Sequence, residues 1–392
     1  MASPHHRHQA SLEQVIDFSQ RPSLGQDQRD SAKRRFYSIV NHLEGSNGTK
    51  NNASPYNRPV LVRLTYEHAR SVESQDNFMR AFFESIELSI EADEDIDLSD
   101  ESFEKQLRER FYGFADYLVE NFFLPLKAST RKTPQPSPVT HSAIQRIQGI
   151  HDFAGTPERL GALRGACLER DRHRCVISRK FDIEEAKRRI KKDGNEARDD
   201  DGAPLLTNDN SFDPLEVAHI LPHSLTKLNA NDHLDPSRQA ALAILNMFDT
   251  GVSHLIEGTN IDRPFNALTL TQKLHSVFGN FDIFFQPVQN EPHTYRIDTF
   301  LHPLLIRDPP LPITRTLFIT DTHSIDPPSS RLLAIHNAIA QILHLSAAGG
   351  YIDDILRDLE ENDVREDGST AIDRFVRLRL GGWLDGAVDT HG

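Results

Sequence analysis

The sequence predicts an α+β chain that is mostly helical, with a few short strands and one strand–strand–helix unit set among the helices. Three observations predict this. Apolar residues recur at three- and four-residue spacing over much of the 392 residues, which is the signature of one-sided helices. Two short runs, EVAHI at 216–220 and ALTLT at 267–271, are β-prone, and the second alternates apolar with polar residues as a half-buried strand does. Directly after ALTLT the spacing becomes helical again, with Leu274, Val277 and Phe278 on one face and Gly279 suited to a helix stop.

Taken in order, residues 1–30 are polar and rich in His, Gln, Asp and Ser, and are expected to be a disordered tail; its trio His5, His6 and His8 is read as part of that tail. A helical unit is expected over 31–127. Ala32 to Leu43 is one helix, and a loop dense in Gly, Asn and Pro follows. Leu61 to Leu88 has helical spacing through Phe78, Ala81, Phe82 and Ile86. In the segment 103–126 a stripe of Leu107, Phe111, Phe114, Leu118 and Phe122 marks a packing face.

Residues 128–140, with three prolines among Ser and Thr, are the expected linker to a second domain over 141–365, and 366–392 is a C-terminal extension. Thr156 and Pro157 suit a helix start, followed by Leu160, Leu163 and Cys167 on one face. The run RHRCVIS, 172–178, is expected to pair as a strand, and 180–204 to be a charged helix and exposed loop inserted outside the core. Asp235 and Pro236 start a further helix, with Gly251 near its end. Two strands are expected within 281–300, then two helices over 330–361 broken at Gly349 and Gly350. His336 and His344 lie on or beside the first of these helices and are read as core or surface histidines.

Composition narrows the function. A hydrophobic share of 38% and a charged share of 26% are those of a globular protein, and no apolar run approaches the roughly 18 residues of a membrane span. The N-terminus lacks the apolar stretch of a secretory signal, so an intracellular, nuclear or cytosolic location is expected. Two cysteines, Cys167 and Cys175, exclude a disulfide framework and a four-cysteine zinc knuckle. The net charge of −14 argues against nonspecific coating of nucleic acid. Charge is uneven, however: residues 91–104 carry eight acidic and no basic side chains, and residues 159–192 carry twelve Lys/Arg against five Asp/Glu. That local basic excess suits a phosphodiester substrate, and a solvated charged helix accounts for it equally well.

The chemistry-bearing residues are His219 at the end of the first short strand, Asn266 at the mouth of the second, and His275 on the helix after it. Phosphodiester hydrolysis needs a base near neutral pH, which histidine provides, and a cation to neutralise charge on the phosphate oxygens. Histidine, asparagine and histidine on strand, strand and helix resemble the HNH (ββα-metal) endonuclease family. The resemblance is closest to HNH-domain proteins of fungi, which carry similar stretches at Cys175–Ser178, Ala218–Pro222, Phe248–Val252, Asn266–Thr271 and Leu274–Gly279. It covers about 155–365.

The resemblance implies that His219 is the general base, Asn266 the loop-orienting residue and His275 a metal ligand. The implied cofactor is a divalent metal, Mg²⁺ first and Mn²⁺, Ni²⁺ or Zn²⁺ as alternatives, and the implied substrate is DNA. Two positions depart from the pattern: the ligand many members carry before the first histidine is Ala218 here, and the histidine some carry one turn after the last is Gly279. Glu216 faces the same side of its strand as residue 218 and is the expected second metal ligand, with His223 and Asp249 as further candidates. Arg170, Arg172, Arg174 and Lys180 are the expected nucleic-acid contacts. The rival expectation is a catalytically degenerate HNH-fold scaffold that binds partners through its N-terminal helices. A weaker third is a non-nucleolytic hydrolase using His219.

Overall fold

A computed structural model of the chain describes residues 22–47, 54–130, 157–227, 233–320, 324–360 and 372–384. The fold is α+β, as expected. It divides into two compact units: one formed by residues 1–126, 234–255 and 341–381, the other by 127–233, 256–340 and 382–392. No single described helix is long and apolar enough to cross a membrane.

The first unit is helical and owes its core to the aromatic stripe. Phe111 and Phe114 of the helix Glu101–Leu118 meet Phe78 and Phe82 of Val72–Ser85 edge-on at 5.8 Å, and Phe36 of Gln26–Asn47 closes the cluster at 5.0 Å from Phe82. Such edge-to-face pairs contribute about 0.5–1.5 kcal/mol each beyond the area they bury. Three local expectations change here. The first helix begins at Gln26, inside the stretch read as a tail, because Arg29 and the backbone N–H of Leu24 both bind the Asp76 carboxylate, at 2.8 Å. The segment 61–88 is two helices, Arg58–Glu67 and Val72–Ser85, since the Ser71 hydroxyl accepts the Ser74 N–H and starts a new helix there. The break expected at Gly349 and Gly350 falls instead at Ser346 and Ala347, between Ser330–Leu345 and Ala348–Glu360. Gly349 serves the close approach of the two helices, because a Cβ there would lie 3.3 Å from the Leu343 carbonyl oxygen.

The helix Pro236–Phe248 also belongs to this unit. Asp235 caps it by accepting the Ser237 N–H, and Phe248 stacks on Phe122 at 5.6 Å. Gly251, at φ +80°, turns the chain after it. Of the proposed linker, residues 128–130 complete the helix Leu124–Thr130 and the rest lies outside the described residues, as do His5, His6, His8 and Thr156.

The second unit is built on an antiparallel hairpin. Its strands are β1 (Phe181–Asp182), β2 (Phe212–Asp213), β3 (Leu215–His219), β4 (Ala267–Thr271), β5 (Ile283–Pro287), β6 (Thr294–Thr299) and β7 (Ile313–Thr316). β3 pairs with β4 so that Leu215 faces Thr271 and His219 faces Ala267; β5, β6 and β7 form a second antiparallel sheet; β1 and β2 make one short parallel pair. The strand β7, at the edge of that sheet after the prolines at 309, 310 and 312, was not expected.

Cys175–Ser178 does not form a strand. It is a tight turn in which Cys175 N–H donates to the Lys180 carbonyl and Val176 N–H to the Thr269 carbonyl, so one hydrogen bond docks it on the free edge of β4. The charged insertion has a small core of its own, Phe181, Ala186, Ala197 and Leu205, with Ile190 and Phe212 packed against it.

Candidate active site

The hairpin, the motif helix Gln272–Gly279 and the lead helix Pro157–Arg170 place the candidate residues. Thr271 ends β4 and at once caps the motif helix, accepting the Leu274 N–H, so strand and helix join without a loop. Alternation along β3 then divides its side chains. Val217 packs with Leu163, Cys167 and Ala267 on the lead-helix side, and Glu216 reaches His275 of the motif helix.

Asn266 is fully buried and tied three ways. Its carbonyl oxygen accepts the Leu221 N–H at 3.0 Å, and its amide donates to the carbonyls of Leu221 at 2.9 Å and Ile261 at 2.8 Å. With the Ile220 N–H donating to the Asn266 backbone carbonyl at 2.8 Å, this bracket fixes the chain leaving β3 against the chain entering β4. A buried amide with all these groups satisfied is a rigid joint.

His219 sits at the end held by that bracket, with its side chain only 3% exposed. Its Nε2 lies 3.1 Å from the Asp262 carboxylate, and its buried Nδ1 has no hydrogen-bond partner among the described residues. A carboxylate has no proton to give, so the neutral ring carries its proton on Nε2 and presents a lone pair at Nδ1. Asp262 was not singled out in the sequence. Its one signal is position, four residues before Asn266 in the turn that leads into β4. His223 is brought beside this pair, its ring 5.7 Å from that of His219.

His275 forms the second pair. Its Nδ1 lies 2.7 Å from a Glu216 carboxylate oxygen, so by the same argument Nε2 holds the lone pair. The two donors would leave a divalent ion open to several waters and to a phosphate oxygen, and do not make a closed four-ligand zinc site. No group of three His, Cys, Asp or Glu side chains able to hold a metal ion occurs among the described residues. Neither departing position adds a donor. Ala218 is buried, and a Cβ at Gly279 would lie 2.8 Å from the Thr130 carbonyl oxygen, so that position has no room for a histidine. Asp249 lies in the first unit, 3.5 Å from Arg70.

The four expected phosphate contacts are all engaged internally. Arg170 is fully buried: both its Nε and Nη2 bind Asp171 at 2.8 Å, and its amino groups also donate to the carbonyls of Pro264, Ala267 and Asp326. Burial opposes its charge, yet Asp171 holds the guanidinium above its ordinary value. It is a structural clamp and cannot meet a ligand in solution. Arg172 pairs with Asp201, Arg174 with Asp199 at 2.7 Å, and Lys180 with Asp213 at 3.2 Å and Asp308 at 2.8 Å. Both cysteines are buried, and burial pushes the Cys167 thiol up to about 12, which makes it unreactive.

One comparison bears on this geometry. The HNH endonuclease family model matches residues 175–286. The matched HNH segment runs from the turn at Cys175 through β3, β4 and the motif helix to β5, and it contains His219, Asp262, Asn266, His275 and Glu216. No curated protein and no solved structure matches the chain.

Proposed function

We propose that the second unit is a metal-dependent endonuclease of the HNH type that hydrolyses phosphodiester bonds in DNA. The observation that carries this reading is the His219–Asp262 pair, which leaves a lone pair at Nδ1 on the hairpin that also holds the His275–Glu216 pair. In hydrolysis the attacking water must lose a proton as its oxygen bonds to phosphorus. His219 Nδ1 would accept that proton, and Asp262 would hold the ring in the right tautomer and stabilise the imidazolium formed. Glu216 and His275 would hold a divalent ion, which supplies Lewis acidity and neutralises charge on the phosphate oxygens when bound. Asn266 would keep the base in register through its bracket.

Ala218 and the burial of His219 favour a second reading, an HNH hairpin retained for binding without cleavage. Nicking of supercoiled plasmid with Mg²⁺, Mn²⁺, Ni²⁺ or Zn²⁺ separates the two. The endonuclease reading expects metal-dependent nicking that falls by about 10²–10⁴-fold in His219→Ala. Equal rates in both proteins, or no nicking with any of the metals, leaves the binding reading.

A further inference from the structure

The cations around the matched segment fall into two classes. Arg170, Arg172, Arg174 and Lys180 each have a carboxylate partner. Arg179 and Arg315 have none among the described residues, and their hydrogen bonds go to backbone carbonyls only: Arg179 to Thr316, Arg315 to Ile177 at 2.8 Å and to Thr314 at 3.5 Å. The central carbon of the Arg179 guanidinium lies over the Phe318 ring, 4.2 Å from its centroid, and its buried Nη1 has no acceptor among the described residues. Its backbone holds φ +64°, an uncommon conformation for a residue with a side chain. Two neighbouring guanidinium groups thus lack an ion-pair partner among the described residues, in a protein of net charge −14.

We propose that Arg179 and Arg315 form a contact for the backbone phosphates of duplex DNA. The proposal rests on the endonuclease reading for the identity of the ligand. A phosphate supplies the missing charge partner, and a guanidinium seated over an aromatic ring and anchored to a backbone carbonyl offers it N–H groups from a fixed position. Burial, and then the neighbouring Arg315, pull the Arg179 guanidinium down to about 10 against the smaller opposing effect of Asp171, so it stays charged at neutral pH and short of counter-charge. The location suits the role. The turn that carries Arg179 is docked on the edge of β4 at Thr269, two residues from Ala267, which faces His219 across the hairpin. Arg315 ties β7 to the same turn through Ile177.

Fluorescence anisotropy of a labelled duplex with the full chain in EDTA tests this, since binding is then read without cleavage. The double variant Arg179→Gln/Arg315→Gln is expected to bind at least tenfold more weakly at about 0.1 M salt, with the slope of log K against log salt shallower by about 2. Arg315→Gln alone, which leaves the stacked Arg179 in place, should make the slope shallower by about 1. The doubly conservative Arg→Lys pair should keep the wild-type slope. Wild-type affinity and slope in both Gln variants, or no binding of duplex by the wild type at low salt, overturns the proposal. If wild type nicks plasmid while the Gln variants bind normally, the phosphate contact fails and the endonuclease reading stands. If no metal supports nicking but the slopes shift as stated, the contact stands and catalysis fails.

Discussion

In the proposed reaction, Asp262 is the residue that would turn a strand-end histidine into a poised base. The amide of Asp262→Asn can donate as well as accept, so it can place the ring proton on Nδ1 and remove the lone pair where water would be activated. We expect Asp262→Asn to lower plasmid nicking by about 10²-fold or more while the melting temperature stays close to wild type. A parallel loss of folding would make the carboxylate a structural partner alone. Arg170 belongs to the same scale and to a different role. Its guanidinium binds Asp171 and donates to three carbonyls, so without it the buried Asp171 carboxylate loses its charge partner. Arg170→Met should cost about 3–5 kcal/mol in urea unfolding, because an unpaired buried carboxylate remains. An unchanged midpoint would show that Asp171 finds another partner.

At the scale of elements, the motif helix is held at both ends. Thr271 caps its start, and at its end Gly279 meets the chain at Thr130, whose hydroxyl donates to the Gly279 carbonyl. The close approach leaves no space for a Cβ, so Gly279→Ala should force the backbone apart at a cost of about 1–3 kcal/mol. Differential scanning fluorimetry reads that cost, and a neutral or higher melting temperature would mean the Thr130 segment yields freely. Next to this contact, His336 donates from Nε2 to the Phe278 carbonyl at 3.1 Å, and its ring stacks on Phe278 at 3.9 Å and on Phe281 at 4.6 Å. The histidine therefore acts as a flat apolar spacer with one donor, under the end of the motif helix.

For the whole molecule, His336 sets a pH dependence. Burial pushes its imidazole down to about 3, so the native state keeps it neutral where the unfolded chain, near its ordinary 6.5, takes up a proton. Its contribution is complete above pH 6.5 and declines by about 1.4 kcal/mol per pH unit as pH falls from 6.5 toward 3. Between pH 7.5 and pH 5, wild type should lose about 2 kcal/mol more than His336→Leu in urea titrations. Equal losses would mean that the ring is protonated in the native state. The two-unit organisation has a separate consequence: residues 234–255, inserted between the two strands of the hairpin, fold with the N-terminal helices and so join the two units by two further chain crossings.

What the sequence determined by itself was local. The spacing from Asn266 to His275, the strand alternation before it and the cap at Asp235 are encoded within a few turns of chain, where periodicity and side-chain-to-backbone hydrogen bonds act. They were enough to find the hairpin, its helix and the aromatic core stripe. Tertiary structure decided which charges meet. Asp262 reaches His219 across 43 residues and Arg29 reaches Asp76 across 47, whereas Arg170 spends its charge inside the fold. A run of arginines reads as a basic face until the carboxylates that neutralise it are brought in from distant segments. Long-range pairing has no period to be read along the chain, because it follows from which elements pack together.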